Sequence, residues 1–145
     1  MTLSKVRAYI ESKIKDVDSK FKRVESPFNI DVAENIADKS YFIKYDVTSS
    51  EQMQTSIKDS IYVECQFSFK SFRHGIDKYD YAMDLVNTIR MKCINIKELV
   101  EFDDTDQNKI ISCETISQNG EQLPNNNKII IINLTLELNI NQAIC

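Results

Sequence analysis

The chain has 145 residues, of which 42% are hydrophobic and 28% charged, with two glycines and two prolines. That balance fits one globular core and excludes a low-complexity or disordered chain, which would carry fewer apolar residues and more Gly, Pro or like charges. A formal net charge of −4 speaks against tight wrapping of nucleic acid, which depends on Lys and Arg neutralising phosphates. It leaves room for a surface that DNA passes without sticking.

The first fifteen residues, MTLSKVRAYIESKIK, carry too many charges for the apolar region of a secretory signal. No apolar run approaches the roughly 20 residues that span a bilayer. The expectation is a chain made and used in the cytoplasm, without a membrane. Leu3, Val6, Ile10, Ile14, Val17 and Phe21 recur at steps of three and four, which predicts an amphipathic helix over residues 3–21, with Thr2 or Ser4 as its cap. Periodicity then fades over residues 22–39, and Ser26-Pro27 interrupts any helix there, so this stretch reads as an extended connector.

Tyr41, Ile43, Tyr45 and Val47 alternate with polar residues and predict a strand over 40–47. Residues 48–59 are polar and lack glycine and proline, so they read as a long loop rather than a tight hairpin. Loops of that length in a compact domain are usually functional or disordered. Ile61, Val63, Cys65, Phe67 and Phe69 share one face of the next strand, opposite Tyr62, Glu64, Gln66, Ser68 and Lys70. After Arg73, His74 and Gly75 the period changes. Tyr81, Ala82, Leu85, Val86 and Ile89 line one side of a helix placed at 78–94, fraying near its end.

Residues 96–102 read as a short strand or an irregular apolar edge, followed by a turn holding Asp103, Asp104, Asp106 and Asn108. A strand follows at 109–117, then a turn over 117–127 around Gly120 and Pro124. The last strand is marked most strongly: Ile130, Ile132, Leu134, Leu136, Leu138 and Ile140 on one face, Asn133, Thr135, Glu137 and Asn139 on the other. The order predicts a single α+β domain over 1–145, made of a helix at 1–21 and a sheet at 40–145 with the central helix 78–94. The sheet is expected to be mostly antiparallel, of about four strands, with both helices packed on one face.

Catalytic and ligand-binding signals are weak. The aspartate cluster lacks the glycine and the bidentate glutamate of an EF-hand loop and reads as a solvated turn, so no metal site is expected. Cys65, Cys93, Cys113 and Cys145 contain no CxxC pair and read as free thiols. A Cys65–His74 enzyme is one alternative, but Cys65 falls on the apolar face of its strand, where thiols are inert packing. A sheet-based RNA binder using Phe67, Phe69, Phe72, Tyr41 and Tyr45 is another. There too Phe67 and Phe69 share the apolar face, and the acidic balance is unfavourable. Two glycines cannot build a phosphate-cradling loop. No catalytic residue or cofactor is expected, which leaves a structural or assembly protein.

The layout as a whole resembles the tail terminator, or tail completion, proteins of long-tailed bacteriophages. The resemblance runs over 3–21, 41–47, 61–72, 78–89, 109–116 and 129–140, and its most family-like detail is FSFKSFR followed by YDYAMDLVNTI. Head–tail connector subunits of the neck have similar patterning and stand as the alternative. The resemblance implies a virion protein, typically a hexameric ring at the head-proximal end of the tail tube. Such a ring ends tube polymerisation, docks the neck and lets DNA through its lumen. Its partners would be further copies of itself, the tail tube protein and the neck protein. On this reading Thr48, Ser50, Glu51, Gln54 and Lys58 contact the tube or the lumen. Asn126, Asn133, Thr135, Glu137 and Asn139 face a neighbouring subunit.

Overall fold

The computed structural model describes residues 2–25, 38–70, 75–95, 109–123 and 126–143. In chain order these form α1 (Thr2–Val17), β1 (Lys22–Arg23), β2 (Ser40–Gln52), β3 (Ser56–Lys70), α2 (Gly75–Cys93), β4 (Lys109–Leu123) and β5 (Asn126–Ala143). The strands make one open sheet in the order β1-β2-β3-β5-β4. All its pairings are antiparallel except the short parallel contact of β1 with Ser40 and Tyr41. The α+β class and the mostly antiparallel sheet expected from the sequence hold, but the sheet has five strands rather than four, the short β1 adding one parallel pairing.

One face of the sheet carries the core. Alternation along β3 and β5 sets Phe69 opposite Ile130, Phe67 opposite Ile132, Cys65 opposite Leu134 and Val63 opposite Leu136, and all eight are buried. The helices cover this face with Val6, Ile10 and Ile14 of α1 and Ala82, Val86 and Ile89 of α2, which join the same apolar cluster. Each fully buried aliphatic or aromatic side chain stabilises the fold by about 1.5–3 kcal/mol relative to exposure. Polar contacts fix the layers' register: Tyr9 Oη donates to the Cys93 carbonyl at 2.8 Å, and Tyr41 Oη donates to Glu11 Oε2 at 2.7 Å.

Both helices differ in extent from their sequence patterns. The first ends at Val17, not at residue 21, because Asp18 leaves the helical path. Its Oδ1 accepts the Lys20 N–H at 2.9 Å, a local turn that competes with helix propagation. Phe21 therefore reaches the core from outside the helix, edge-on to Phe67 and Phe69 with ring centroids 5.7 and 5.8 Å away. The second helix begins at Gly75, three residues before its expected start at 78, since a first turn need not contribute to an apolar stripe. Residue 94 stays attached through the Ile94 N–H bond to the Arg90 carbonyl.

Two expected connections turn out to be strand. Residues 48–59, read as a long loop, are the ends of β2 and β3 joined by residues 53–55, with the Met53 N–H bonded to the Ser56 carbonyl at 2.7 Å. This is a tight hairpin. Residues 117–127, read as a turn, are largely strand, because β4 continues to Leu123 and β5 starts at Asn126. Gly120 does not make a turn. It lies beneath α2, where a Cβ would come within 2.6 Å of Ile132 Cδ1 and 2.8 Å of Tyr79 Oη, a strand glycine that permits close approach. The connector expected at 22–39 supplies β1, and its 26–37 portion lies outside the described residues. The expected apolar segment 96–102, the aspartate turn, Phe72, His74 and Cys145 lie outside them as well.

Candidate functional site

The described cysteines, Cys65, Cys93 and Cys113, are buried packing residues. Burial pushes the Cys65 thiol up to about 12 and the Cys113 thiol up to about 12, and it raises Cys93 as well. None of these is a thiolate at neutral pH, the form a nucleophile or metal ligand requires. Among the described residues no group of His, Cys, Asp or Glu could hold a metal ion, and no helix is long and apolar enough to cross a membrane. Phe67, Phe69 and Tyr41 are buried in the core, so the aromatic platform that an RNA binder would need is closed by the helices.

What the molecule does present is a second sheet face and two sheet edges. No described helix covers the second face. It runs in polar rows across β2, β3, β5 and β4: Phe42, Gln66, Asn133, Asn119; then Lys44, Glu64, Thr135, Ser117; then Asp46, Tyr62, Glu137, Glu114. Hydrogen bonds tie these rows crosswise. Ser60 Oγ donates to Asn139 Oδ1 at 2.7 Å, and Asn139 Nδ2 donates to Ser112 Oγ at 2.8 Å. A concavity of about 650 Å³ opens between Phe42, Lys44, Glu64, Gln66 and Asn133. Glu114 and Glu137 stand directly opposite each other, a like-charge pair that costs up to about 1 kcal/mol and keeps this part of the face acidic.

The edges are long, and most of their length is unpaired among the described residues. β1 occupies β2 only at Ser40 and Tyr41, so among the described residues nothing pairs with β2 from Phe42 to Gln52. The Tyr41 carbonyl accepts the Val24 N–H on this outer side. Alternation therefore turns the N–H and C=O of Ile43 and Tyr45 outward too. Among the described residues β4 pairs only with β5. It carries bulges between Ile110 and Ser112 and between Thr115 and Ser117. The extra residues, Ile111 and Ile116, are 39% and 46% exposed, and Val47 on the β2 edge is 49% exposed. Sheet edges of this kind are templates for pairing with another chain.

The residues singled out from the sequence fall into two groups. Thr48, Ser50 and Glu51 lie at the far end of β2, Gln54 in the turn and Lys58 on β3. The fold thus brings them together on one hairpin that runs past the helices, with Glu51 directly opposite Lys58. Thr48 Oγ1 donates to the Ser60 carbonyl at 3.1 Å. Asp59, which sequence reasoning missed, organises this end by accepting from Ser50 Oγ at 2.5 Å and from Gln142 Nε2 at 2.6 Å. The second group, Asn133, Thr135, Glu137 and Asn139, lies along the helix-free face of β5, and Asn126 pairs with Leu123 at the start of the strand. Because β5 is central, these side chains can meet a partner from the face but not through their backbone. The edge roles of Lys44, Val47, Ile111, Glu114 and Ile116 went unnoticed in the sequence. The bulged isoleucines left one signal, an apolar residue out of phase, such as Ile111 beside Ile110.

No family model matches the chain, and no curated protein matches it in sequence. Among solved structures, a chain from the virion of a native gene transfer agent particle has a similar fold, with a TM-score of 0.63 over 93% of each chain at 8% identity. At that identity the likeness concerns the fold.

Proposed function

We propose that this chain is a structural virion protein, not an enzyme, that forms a ring at the head-proximal end of a phage tail tube. There it ends tube growth and offers the docking surface for the neck. The observation that carries the reading is a sheet of four long antiparallel strands whose two edges, apart from β1 at Ser40 and Tyr41, no described strand fills, on a fold similar to that of a chain in the virion of a gene transfer agent. Open edges are a hazard in an isolated chain, and a head-to-tail ring removes them. With the helices outside, the polar, partly acidic face turns to the lumen, where it lets DNA pass without holding it. Asn133, Thr135, Glu137 and Asn139 then line the lumen rather than meet a neighbouring subunit as the resemblance implied. Four strands per copy at about 4.8 Å each give six copies a circumference of roughly 115 Å, hence roughly 37 Å between opposing backbones before strand tilt widens it. That clears a DNA duplex. The hairpin with Thr48, Ser50, Glu51, Gln54 and Lys58 extends from the rim as the contact with the tube.

The test is tube capping. Purified protein added to polymerising tail tubes is expected to arrest elongation and to be seen by negative stain as a ring on one tube end. A protein that neither binds tube ends nor changes tube length overturns the terminator role, and binding to the neck instead would establish the connector alternative.

A further inference from the structure

We propose that consecutive copies join edge to edge, β4 of one pairing antiparallel with β2 of the next, in the register that sets Lys44 opposite the neighbour's Glu114. The inference rests on the ring reading and specifies its joint. Strand polarity comes first. The long strands alternate in direction along β2-β3-β5-β4, and four is an even number. The β4 edge of one copy is therefore antiparallel to the β2 edge of a copy placed beside it by rotation, and the alternation continues unbroken around the ring. An antiparallel joint uses the outward N–H and C=O groups of Ile43 and Tyr45.

Charge then selects the register. Continuing the rows straight across would set Asp46 opposite the neighbour's Glu114, because both lie in the row through Tyr62 and Glu137. That is a like-charge clash. A closed barrel requires its strands to be staggered, and an even stagger keeps every side chain on its own face. A stagger of two residues in one direction replaces the clash with Lys44 against Glu114 and Asp46 against Ser112. The same stagger brings the exposed Val47 beside Ile110 and the bulged Ile111, covering apolar surface that each copy leaves in water. The joint then runs from Phe42 opposite Ser117 to the Ser49–Lys109 pair. Beyond it β1 already occupies β2. There the bulge at Ile116 bends β4 away, as bulges at sheet edges do.

The experiment compares full-length wild type, Lys44→Glu, Glu114→Lys and the double swap by sedimentation across a concentration series at low salt. Each single reversal is expected to raise the concentration for half-assembly about five- to tenfold, and the double swap to return it to within about twofold of wild type. Within one copy the two residues are separated by β3 and β5, so rescue by the double swap reports a contact between copies, not repair of a damaged fold. A second measurement uses Lys44→Cys and Glu114→Cys proteins oxidised separately and as a mixture. Covalent dimers in the mixture alone support the head-to-tail joint, whereas dimers of Glu114→Cys by itself would mean β4 pairs with β4 and overturn it. Rings that form without charge rescue and without cross-links overturn the joint but not the ring. A chain that stays monomeric at millimolar concentration and forms no cross-link overturns both.

Discussion

β2 and β3 pass through two environments along their length. Beneath the helices, Tyr41 faces Phe67 and Ile43 faces Cys65, and the register is held by burial, since a slip of one residue would move every apolar side chain to the wet face. Past Val47 no residue of β2 is buried, and none of β3 before Ile61. The pairing there continues on backbone hydrogen bonds and a few polar contacts, among them Ser50 with Asp59. The covered half is built for stability. The bare half adds little stability and is the part free to meet a partner.

The widest separation between the two halves should appear in Phe67→Ala against Glu51→Ala. Phe67 is fully buried and meets Phe21 edge-on, so its truncation is expected to cost about 3–5 kcal/mol of unfolding free energy. Glu51 is exposed and should shift stability by less than about 0.5 kcal/mol. Urea midpoints at constant slope measure both. A comparable loss at Glu51 would mean that the hairpin belongs to the core's cooperative unit, and the comparison would collapse.

Gly120→Ala probes the boundary from the helix side. The added methyl would meet Ile132 Cδ1 and Tyr79 Oη at less than normal contact, and overpacking of this kind costs about 1–3 kcal/mol. Combined with Ile132→Val, which removes the nearer atom, the loss should be smaller than the sum of the two single losses, as expected for residues in contact. Additive losses would show that Ile132 of β5 does not crowd Gly120.

The same residue shows why the sequence reads unevenly. Burial on one face writes a period of two or of 3.6, so β3, β5 and both helices could be placed from apolar spacing. A glycine among polar residues looks the same whether it makes a turn or admits a helix, and only the position of Tyr79 separates the two. Residues 48–59 are mostly polar on both faces, and no described helix covers them, so the strand there leaves no alternation to detect. Phe21 continued the spacing of α1 while its backbone had already left the helix at Asp18. The two edges, a product of strand order, are invisible to any local pattern.

An ion pair marks where the covered half is fastened at its other end. Lys39, at a positive φ of 54°, reaches Asp18 Oδ2 at 2.6 Å and lies over the Tyr81 ring, linking the end of α1 to the start of β2. The Lys39 hydrogen bond is the main cause holding the Asp18 carboxyl below its ordinary 3.8, and the same bond holds Lys39 above 10.5. A depressed acid stabilises the fold above its unfolded pKa and loses that contribution as pH falls through its folded value. A raised lysine keeps its contribution up to 10.5 and loses it above. The pair thus acts between these limits. Asp18→Asn should cost about 0.5–1 kcal/mol at pH 7, and the difference from wild type should shrink as pH falls below 3.8. A difference that stays constant as pH falls would show that the Asp18 turn around Lys20, not the ion pair, is what matters.

The smallest effect on global stability, and the most specific one, is expected at Asp59. Its two oxygens accept from Ser50 on β2 and Gln142 on β5, so one side chain clamps the hairpin to the end of the longest strand, at the margin of the apolar core that ends with Ile110 and Ile140. Asp59→Ala removes both bonds at a partly exposed site, where the loss should stay below about 1 kcal/mol. Hydrogen exchange separates local from global consequences. Amides of residues 48–58 are expected to lose protection, while those of 63–69 keep theirs. If the hairpin is the tube contact, capping should weaken in this variant while rings still assemble, because the joint between copies ends at Ser49. Loss of assembly together with capping would instead place the hairpin in the joint, and the division between a stable covered half and a contacting bare half would have to be redrawn.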